Sequence, residues 1–294
     1  MAIAPTAAVI YASILSPLIA RDDVGRIKYL NIVYAVPSIL GLVCGLLFCR
    51  TSTPPTPPTK SAESQSVKSI YSFQKYLSSL KIVLTNKSTL GIMIFVGTNL
   101  AIYNAMISQL SQIMCSTGYS SQQIGISTAL IMFSGMVGGI VVGILARKWK
   151  FPVNILKITY CISSITLIAS LLLLREPHLF FPTLFLLIIF SFCAIGCLPL
   201  SLELAAEEMF PLEPVYAETC CHFPAHAYAF VLIILCNSLT QEPSKAIEDT
   251  CGEGIRPWDY TPYFYLLMTE VTVSSCLMLF VINPSLKRRE YDEK

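Results

Sequence analysis

The sequence predicts an all-α, polytopic membrane helix bundle with eight transmembrane helices. Three observations carry that. Eight apolar runs fill most of the chain, each near the roughly 20 residues a helix needs to cross the hydrocarbon core. The basic residues between the runs alternate between a rich side and a poor side. Apolar residues make up 54% of the 294 residues and the mean hydropathy is +0.64, beyond what a soluble chain of this length carries. In lipid the backbone must satisfy its own hydrogen bonds, so runs this long are helices.

The spans read, in order, as Ile3–Ala20, Leu30–Cys49, Leu90–Met114, Ile124–Ala146, Val153–Leu174, Leu179–Leu204, Thr219–Leu239 and Tyr260–Ile282. No basic residue precedes the first, so it reads as a membrane helix and not a cleaved signal peptide. One set of loops carries Arg50, Lys60, Lys68, Lys75, Lys81, Lys87, Arg147, Lys148, Lys150, Lys287, Arg288, Arg289 and Lys294, which is 13 of the 20 Lys and Arg. The positive-inside rule makes that side cytosolic, together with both termini. A net charge of +2 argues against nucleic acid as a partner. The lipid bilayer is the partner these runs require.

Three parts follow: residues 1–49 with two helices, a cytosolic linker at 50–89, and a six-helix unit with its tail at 90–294. The linker opens Thr53-Pro54-Pro55-Thr56-Pro57-Pro58, an extended spacer. Ile70, Phe73, Leu77, Leu80 and Leu84 then recur at helical steps over Ser69–Thr85. That is the pattern of a helix lying along the cytosolic surface, with a calmodulin-type target as the sharper alternative. The sequon Asn86-Lys87-Ser88 falls on the cytosolic side, where no glycan is expected. Most of the eleven cysteines sit inside spans as small apolar packers. Cys115 and Cys251 alone fall near or in lumenal loops, where a disulfide between them is compatible with an oxidising compartment.

Glycines at 135, 139 and 143 line one face of the fourth span, as Gly41 and Gly45 do in the second, and such ladders let helices approach closely. Ionisable residues at membrane depth are functional candidates by default. Glu270 lies near the middle of the last span. Glu218, His222 and His226 repeat every four residues and share a helical face. That face suits a proton relay, a zinc ion or ordinary structural hydrogen bonds. Pro224 beside them should bend the helix and free a carbonyl. In the third span Asn104, Ser108, Ser111 and Gln112 fall within one arc, which must face other helices or a water-filled cavity. Asn99, Tyr103 and Gln109 complete its polar set. Glu203, near the cytosolic end of the sixth span, faces Arg147 as a candidate gate. No nucleophile, metal pair, cofactor motif or catalytic spacing marks the chain as an enzyme.

The stretch Pro199-Leu200-Ser201-Leu202-Glu203-Leu204-Ala205-Ala206-Glu207-Glu208-Met209-Phe210-Pro211 resembles a motif of the solute carrier 49 family. That is the major facilitator group containing the feline leukaemia virus subgroup C receptor proteins. Gly97-Thr98-Asn99 and Gly138-Gly139-Ile140-Val141-Val142-Gly143 are similar to it too. The Pro-rich spacer, with Tyr71-Ser72-Phe73 and Ser78-Ser79-Leu80-Lys81 after it, looks most like the lysosomal branch known as disrupted in renal carcinoma. Leu212-Glu213-Pro214 and Cys221-His222-Phe223-Pro224 depart from the family pattern. The resemblance implies a truncated major facilitator fold lacking its first four transmembrane helices. It implies a secondary transporter, or a fragment of one, moving a small organic solute such as a choline-like amine, a vitamin B6-like compound or haem. It also implies a lysosomal membrane. Asn99, Tyr103, Asn104, Gln109, His226 and Glu270 would bind solute, and Glu218, His222, His226 and Glu270 would couple protons. The alternative is a non-transporting membrane protein that binds or regulates a full-length paralogue.

Overall fold

Hydrocarbon offers no water to the peptide groups, so each long apolar run closes its hydrogen bonds within one helix. The computed structural model describes residues 11–12, 14–16, 18–19, 24–48, 85, 87–149, 152–176, 178–210, 214–242 and 257–280. Among them seven helices are long and apolar enough to cross a membrane. They are α1 (Ile27–Phe48), α2 (Lys87–Ser116), α3 (Ser121–Trp149), α4 (Pro152–Leu173), α5 (Phe180–Glu208), α6 (Pro214–Leu239) and α7 (Thr261–Phe280). Most of the first expected span lies outside the described residues. So do the linker through Leu84, the sequon's Asn86, Cys251 and the tail.

The second to eighth expected spans each have a helix in place. Helices α2, α3, α5 and α6 run two to five residues past those spans, because helical bonding continues into the polar interface. Pro199 and Pro224 sit inside α5 and α6, each continuous along its length. After α2 the chain turns at Gly118 with φ 92°, a conformation glycine adopts without steric cost. Ser120 and Gln123 then form a reciprocal capping box at the start of α3, with Ser120 N–H donating to Gln123 Oε1 at 2.9 Å and Gln123 N–H to Ser120 Oγ at 3.3 Å. Between these elements the Tyr119 hydroxyl donates to the Glu176 carbonyl at 3.3 Å. Burial pushes that phenol's pKa up, so it stays a donor.

Helices α2–α7 form one bundle. Helix α5 is central, packed on α3, α4 and α2; α2 pairs with α6, and α7 lies against α4 and α2. Among the described residues α1 touches none of the other six and buries no side chain. Its partner is the helical stretch before it: Tyr34 Oη lies 2.7 Å from Ser16 Oγ and donates to the Ala12 carbonyl at 3.1 Å.

The closest crossing is α3 on α5. A Cβ added to Gly138 would lie 2.0 Å from the Phe192 carbonyl oxygen, one on Gly135 2.8 Å from Ser191 Oγ, and one on Gly196 2.9 Å from Val142 Cγ2. This corrects the expected ladder. Gly139 would meet only Pro199 Cγ at 3.9 Å, and Gly143, Gly41 and Gly45 meet nothing within 4 Å. The α3 residues at the crossing are Ile131, Ser134, Gly135, Gly138 and Val142, so Gly138 and not Gly139 takes the close contact. Two serines lock the crossing in both directions. Ser134 donates to the Ile188 carbonyl at 3.0 Å and Ser191 to the Ile131 carbonyl at 2.7 Å. Helix α7 is held to α4 in the same currency: Tyr160 donates to Ser274 at 2.8 Å, Ser275 to Ser164 at 2.7 Å, and Lys157 Nζ to the Leu279 carbonyl at 3.2 Å. The lysine inside a span thus serves the C-terminal end of a neighbouring helix, where the dipole favours a cation. Cys115 is disulfide-bonded, as the lumenal reading of that cysteine allows; its partner lies outside the described residues.

Candidate functional site

Helices α2 and α6 run parallel, with Gly97 beside Ala225 and Gln109 donating to Asn237 Oδ1 at 3.2 Å. The contact is an ordinary one: a Cβ at Gly97 would lie 3.9 Å from the Ala225 nitrogen. Alongside that contact runs a groove of about 580 Å³. Its α2 wall is Leu90, Met93, Ile94, Gly97 and Thr98; its α6 wall is Thr219, Cys220, Phe223, Pro224 and Tyr228. The lining is largely apolar with a few hydroxyls, the usual make-up of a small-molecule site. At 100° per residue the α2 wall of the groove and the strip Asn104, Ser108, Ser111 and Gln112 share one face. Asn104 is half-buried and the other three are exposed. A polar strip on the outside of a membrane bundle is covered by water or by protein, because lipid cannot satisfy it.

Tyr228 joins the groove to the one carboxylate at mid-span. Its hydroxyl donates to Glu270 Oε1 at 2.6 Å. Glu270 Oε2 is buried and has no hydrogen-bond partner, and the same holds for the hydroxyl of Tyr263, a side chain with 0% exposure. Further along α2, Asn104 Nδ2 lies 3.4 Å from His226 Nδ1. His222 stacks on His226 with ring centres 5.9 Å apart.

The residues expected to act together thus fall into three groups. Asn104, His222 and His226 meet. Glu270 meets Tyr228, not His226: residues 226 and 228 are about 200° apart around α6, so the expected histidine relay onto Glu270 is not formed. Asn99 and Tyr103 are turned into the bundle, where Asn99 donates to the Ala194 carbonyl at 3.4 Å and Tyr103 meets Ser191 Oγ at 3.2 Å and Met132 Sδ at 3.5 Å. That position takes the Tyr103 ring off the open face and against Phe190 at 5.9 Å. Gln109 is buried and serves the α2–α6 seam. Glu218 and Glu203 are exposed at their helix ends, while Glu208, one turn beyond Glu203, is buried. The Arg147 side chain lies outside the described residues. Among the described residues no three His, Cys, Asp or Glu side chains converge as a metal site. Sequence reasoning missed Tyr228. Its signal was there, since a tyrosine hydroxyl within an apolar span needs a partner, and Glu270 needed a donor.

Comparison with known proteins places this architecture. The Major Facilitator Superfamily profile matches residues 1–214. The chain belongs to the major facilitator superfamily. It is 25% identical over 284 residues to Solute carrier family 49 member A3 of Xenopus tropicalis, covering 95% of this chain and 57% of that protein. To the Danio rerio protein of the same name it is 21% identical over 285 residues, 97% of this chain and 58% of that one. These relatives bear out the solute carrier 49 resemblance read from the Pro199–Pro211 stretch. The chain spans a little over half the length of either relative. A helical membrane bundle of this superfamily accounts for the all-α reading and for the multi-pass membrane location.

Proposed function

We propose that this chain acts in secondary transport, moving a small organic solute across a membrane by alternating access, with protons as the coupling ion. The observation that carries the reading is the α2–α6 groove, whose Tyr228 wall is hydrogen-bonded to Glu270. The groove suits a solute with an apolar body and a positive or polar head. Phe223 and Tyr228 offer aromatic faces to a cation, Thr98 and Thr219 offer hydroxyls, and Glu270 behind Tyr228 supplies negative charge. A choline-like amine or a vitamin B6-like pyridine fits that description better than haem. Asn104 and His226 cap the groove on α2 and α6. The lysosomal membrane is the proposed location, supported by the likeness of the linker to that branch.

The test is uptake of radiolabelled choline and pyridoxine into vesicles containing the chain, with an acid-to-neutral gradient. Gradient-driven accumulation of one solute, lost in Tyr228→Ala and Phe223→Ala, is expected. Uptake no greater than in empty vesicles for both solutes would overturn the reading. One observation favours a second reading: the exposed strip Asn104, Ser108, Ser111 and Gln112 would equally be covered by a partner helix bundle. On that reading the chain binds a full-length paralogue, and co-purification of the two from one membrane without uptake would establish it.

A further inference from the structure

We propose that Glu270 is a two-sided carboxyl: Oε1 reads the solute groove through Tyr228, while Oε2 takes its proton from the opposite end of the bundle along a buried polar file that starts at Tyr263. The inference rests on the proton-coupled reading above and adds where the proton comes from.

Glu270 Oε2 and the Tyr263 hydroxyl are both buried and both without a partner. They belong to one helix seven residues apart, so they share a face and stand ~10 Å apart along the axis. Two or three waters at ~2.8 Å steps cross such a gap, and orphaned buried polar atoms are where internal water is found in proteins. Beyond Tyr263 the polar groups continue. Cys236 of α6 belongs to the same buried cluster as Tyr263 and Tyr260, and its chain neighbour Asn237 accepts from the Gln109 amide of α2. Tyr260, just before α7, and Ser116, the last residue of α2, are both buried at that end of the bundle. That end is opposite the Arg147–Lys150 turn, hence lumenal by the positive-inside rule.

The other direction along α7 is closed. Ser274 is already bonded by Tyr160 and Ser275 bonds Ser164, and Met278 is fully buried. Helix α6 brings Tyr228 to Glu270. The ionisable groups of α4 are engaged further along α7, Tyr160 on Ser274 and Lys157 on the Leu279 carbonyl, and Tyr103 of α2 is engaged with Ser191 of α5. The step is a single proton transfer: a lumenal hydronium gives its proton through the file to the carboxylate and leaves water behind. Neutral Glu270 then loosens its hold on Tyr228, so groove occupancy and protonation are linked through one hydrogen bond.

The test is infrared spectroscopy of the purified chain, reconstituted in vesicles in one orientation, with the pH stepped on one side at a time. The Glu270 carboxyl band is assigned by its loss in Glu270→Gln. The band is expected to follow pH on the Tyr260 side. Tyr263→Phe, which keeps the ring and removes the hydroxyl, should slow that response about tenfold, the factor a single well-made hydrogen bond carries. A band that follows pH only from the groove side, or that responds at wild-type speed in Tyr263→Phe, overturns the proposal. The sidedness in wild type decides the matter even where the variant does not fold. Sided protonation without solute uptake would refute the transport reading and leave this one standing.

Discussion

Replacing Gly138 by alanine tests the packing logic on which the site depends. The added Cβ would lie 2.0 Å from the Phe192 carbonyl oxygen, and real Cβ contacts do not fall under 3.0 Å. Helices α3 and α5 must therefore part by about an ångström. The Ser134–Ile188 and Ser191–Ile131 bonds, now 3.0 and 2.7 Å, would stretch to roughly 4.0 and 3.7 Å, past the limit of a hydrogen bond. Two interhelical bonds at ~0.6 kcal/mol each plus overpacking at ~2 kcal/mol sum to about 3 kcal/mol. For a domain of this size that is a fall in Tm of about 6–12 °C. The assay is thermal unfolding in detergent, followed by thiol exposure of the buried Cys193 and Cys197. Gly143→Ala is the control. Nothing lies within 4 Å of its new Cβ, and helix propensity alone should leave it neutral or stabilised by ~0.5 kcal/mol. Equal melting of the two variants would refute the reasoning, because both are glycines of the same helix and only the contact at Gly138 distinguishes them.

Gln109→Leu removes the bond to Asn237 and should cost about 1 kcal/mol, with a coupling of ~0.6 kcal/mol in the cycle with Asn237→Leu; additive single variants would show the bond to be idle. Lys157→Met should weaken the end of α7 by ~0.5 kcal/mol and raise amide exchange over residues 276–280. Unchanged exchange there would mean the cation does not act on the helix end. With Cys44 and Cys276 replaced by alanine, Ser108→Cys and Gln112→Cys should react with a charged, membrane-impermeant thiol reagent, because a thiolate needs water to form. Met106→Cys and Ile113→Cys, at positions 0% and 1% exposed, should not. Silence at 108 and 112 would show that the strip is covered by lipid or protein and not by water.

The bundle was legible because its signals are long and additive: a span of some twenty apolar residues is read even when its ends are misjudged by a turn. Glu270 was legible for a similar reason, since a charge at mid-span has few bland explanations. What escaped the sequence depends on rotation and partner choice. Gly138 and Gly139 are neighbours in α3, and only the crossing with α5 selects Gly138 over Gly139. Tyr103 and Asn104 are neighbours with similar chemistry, yet 100° of rotation sends one to Ser191 inside the bundle and the other to His226 on the open face. His226 was matched with Glu270 by type and depth, and lost to Tyr228 because the two residues sit on opposite sides of α6. The pairing of Lys157 with the last carbonyls of α7 spans 122 positions, and no local pattern announces it.

The two seams of the bundle differ in kind, and that difference says which part can move. Helices α3 and α5 meet backbone to backbone and exchange serine bonds in both directions. Separating them breaks bonds that nothing in the bilayer replaces, so with α4 packed on α5 they form a rigid wedge. Helices α2 and α6 meet at an ordinary 3.9 Å contact at Gly97 and through two long side-chain bonds, at 3.2 and 3.4 Å. The amide and imidazole of Asn104 and His226, on the open strip, can trade their bond for water at little cost. Under the transport proposal, rearrangement therefore belongs to α6 and its groove wall. Helix α7 rides with the wedge through Tyr160, Ser164 and Lys157. Tyr228 sits on α6 and Glu270 on α7, so their 2.6 Å bond crosses the boundary between the part that moves and the part that does not. A proton arriving at Glu270 changes the strength of a polar tie across that boundary, which is a place where a small chemical event can bias a large motion.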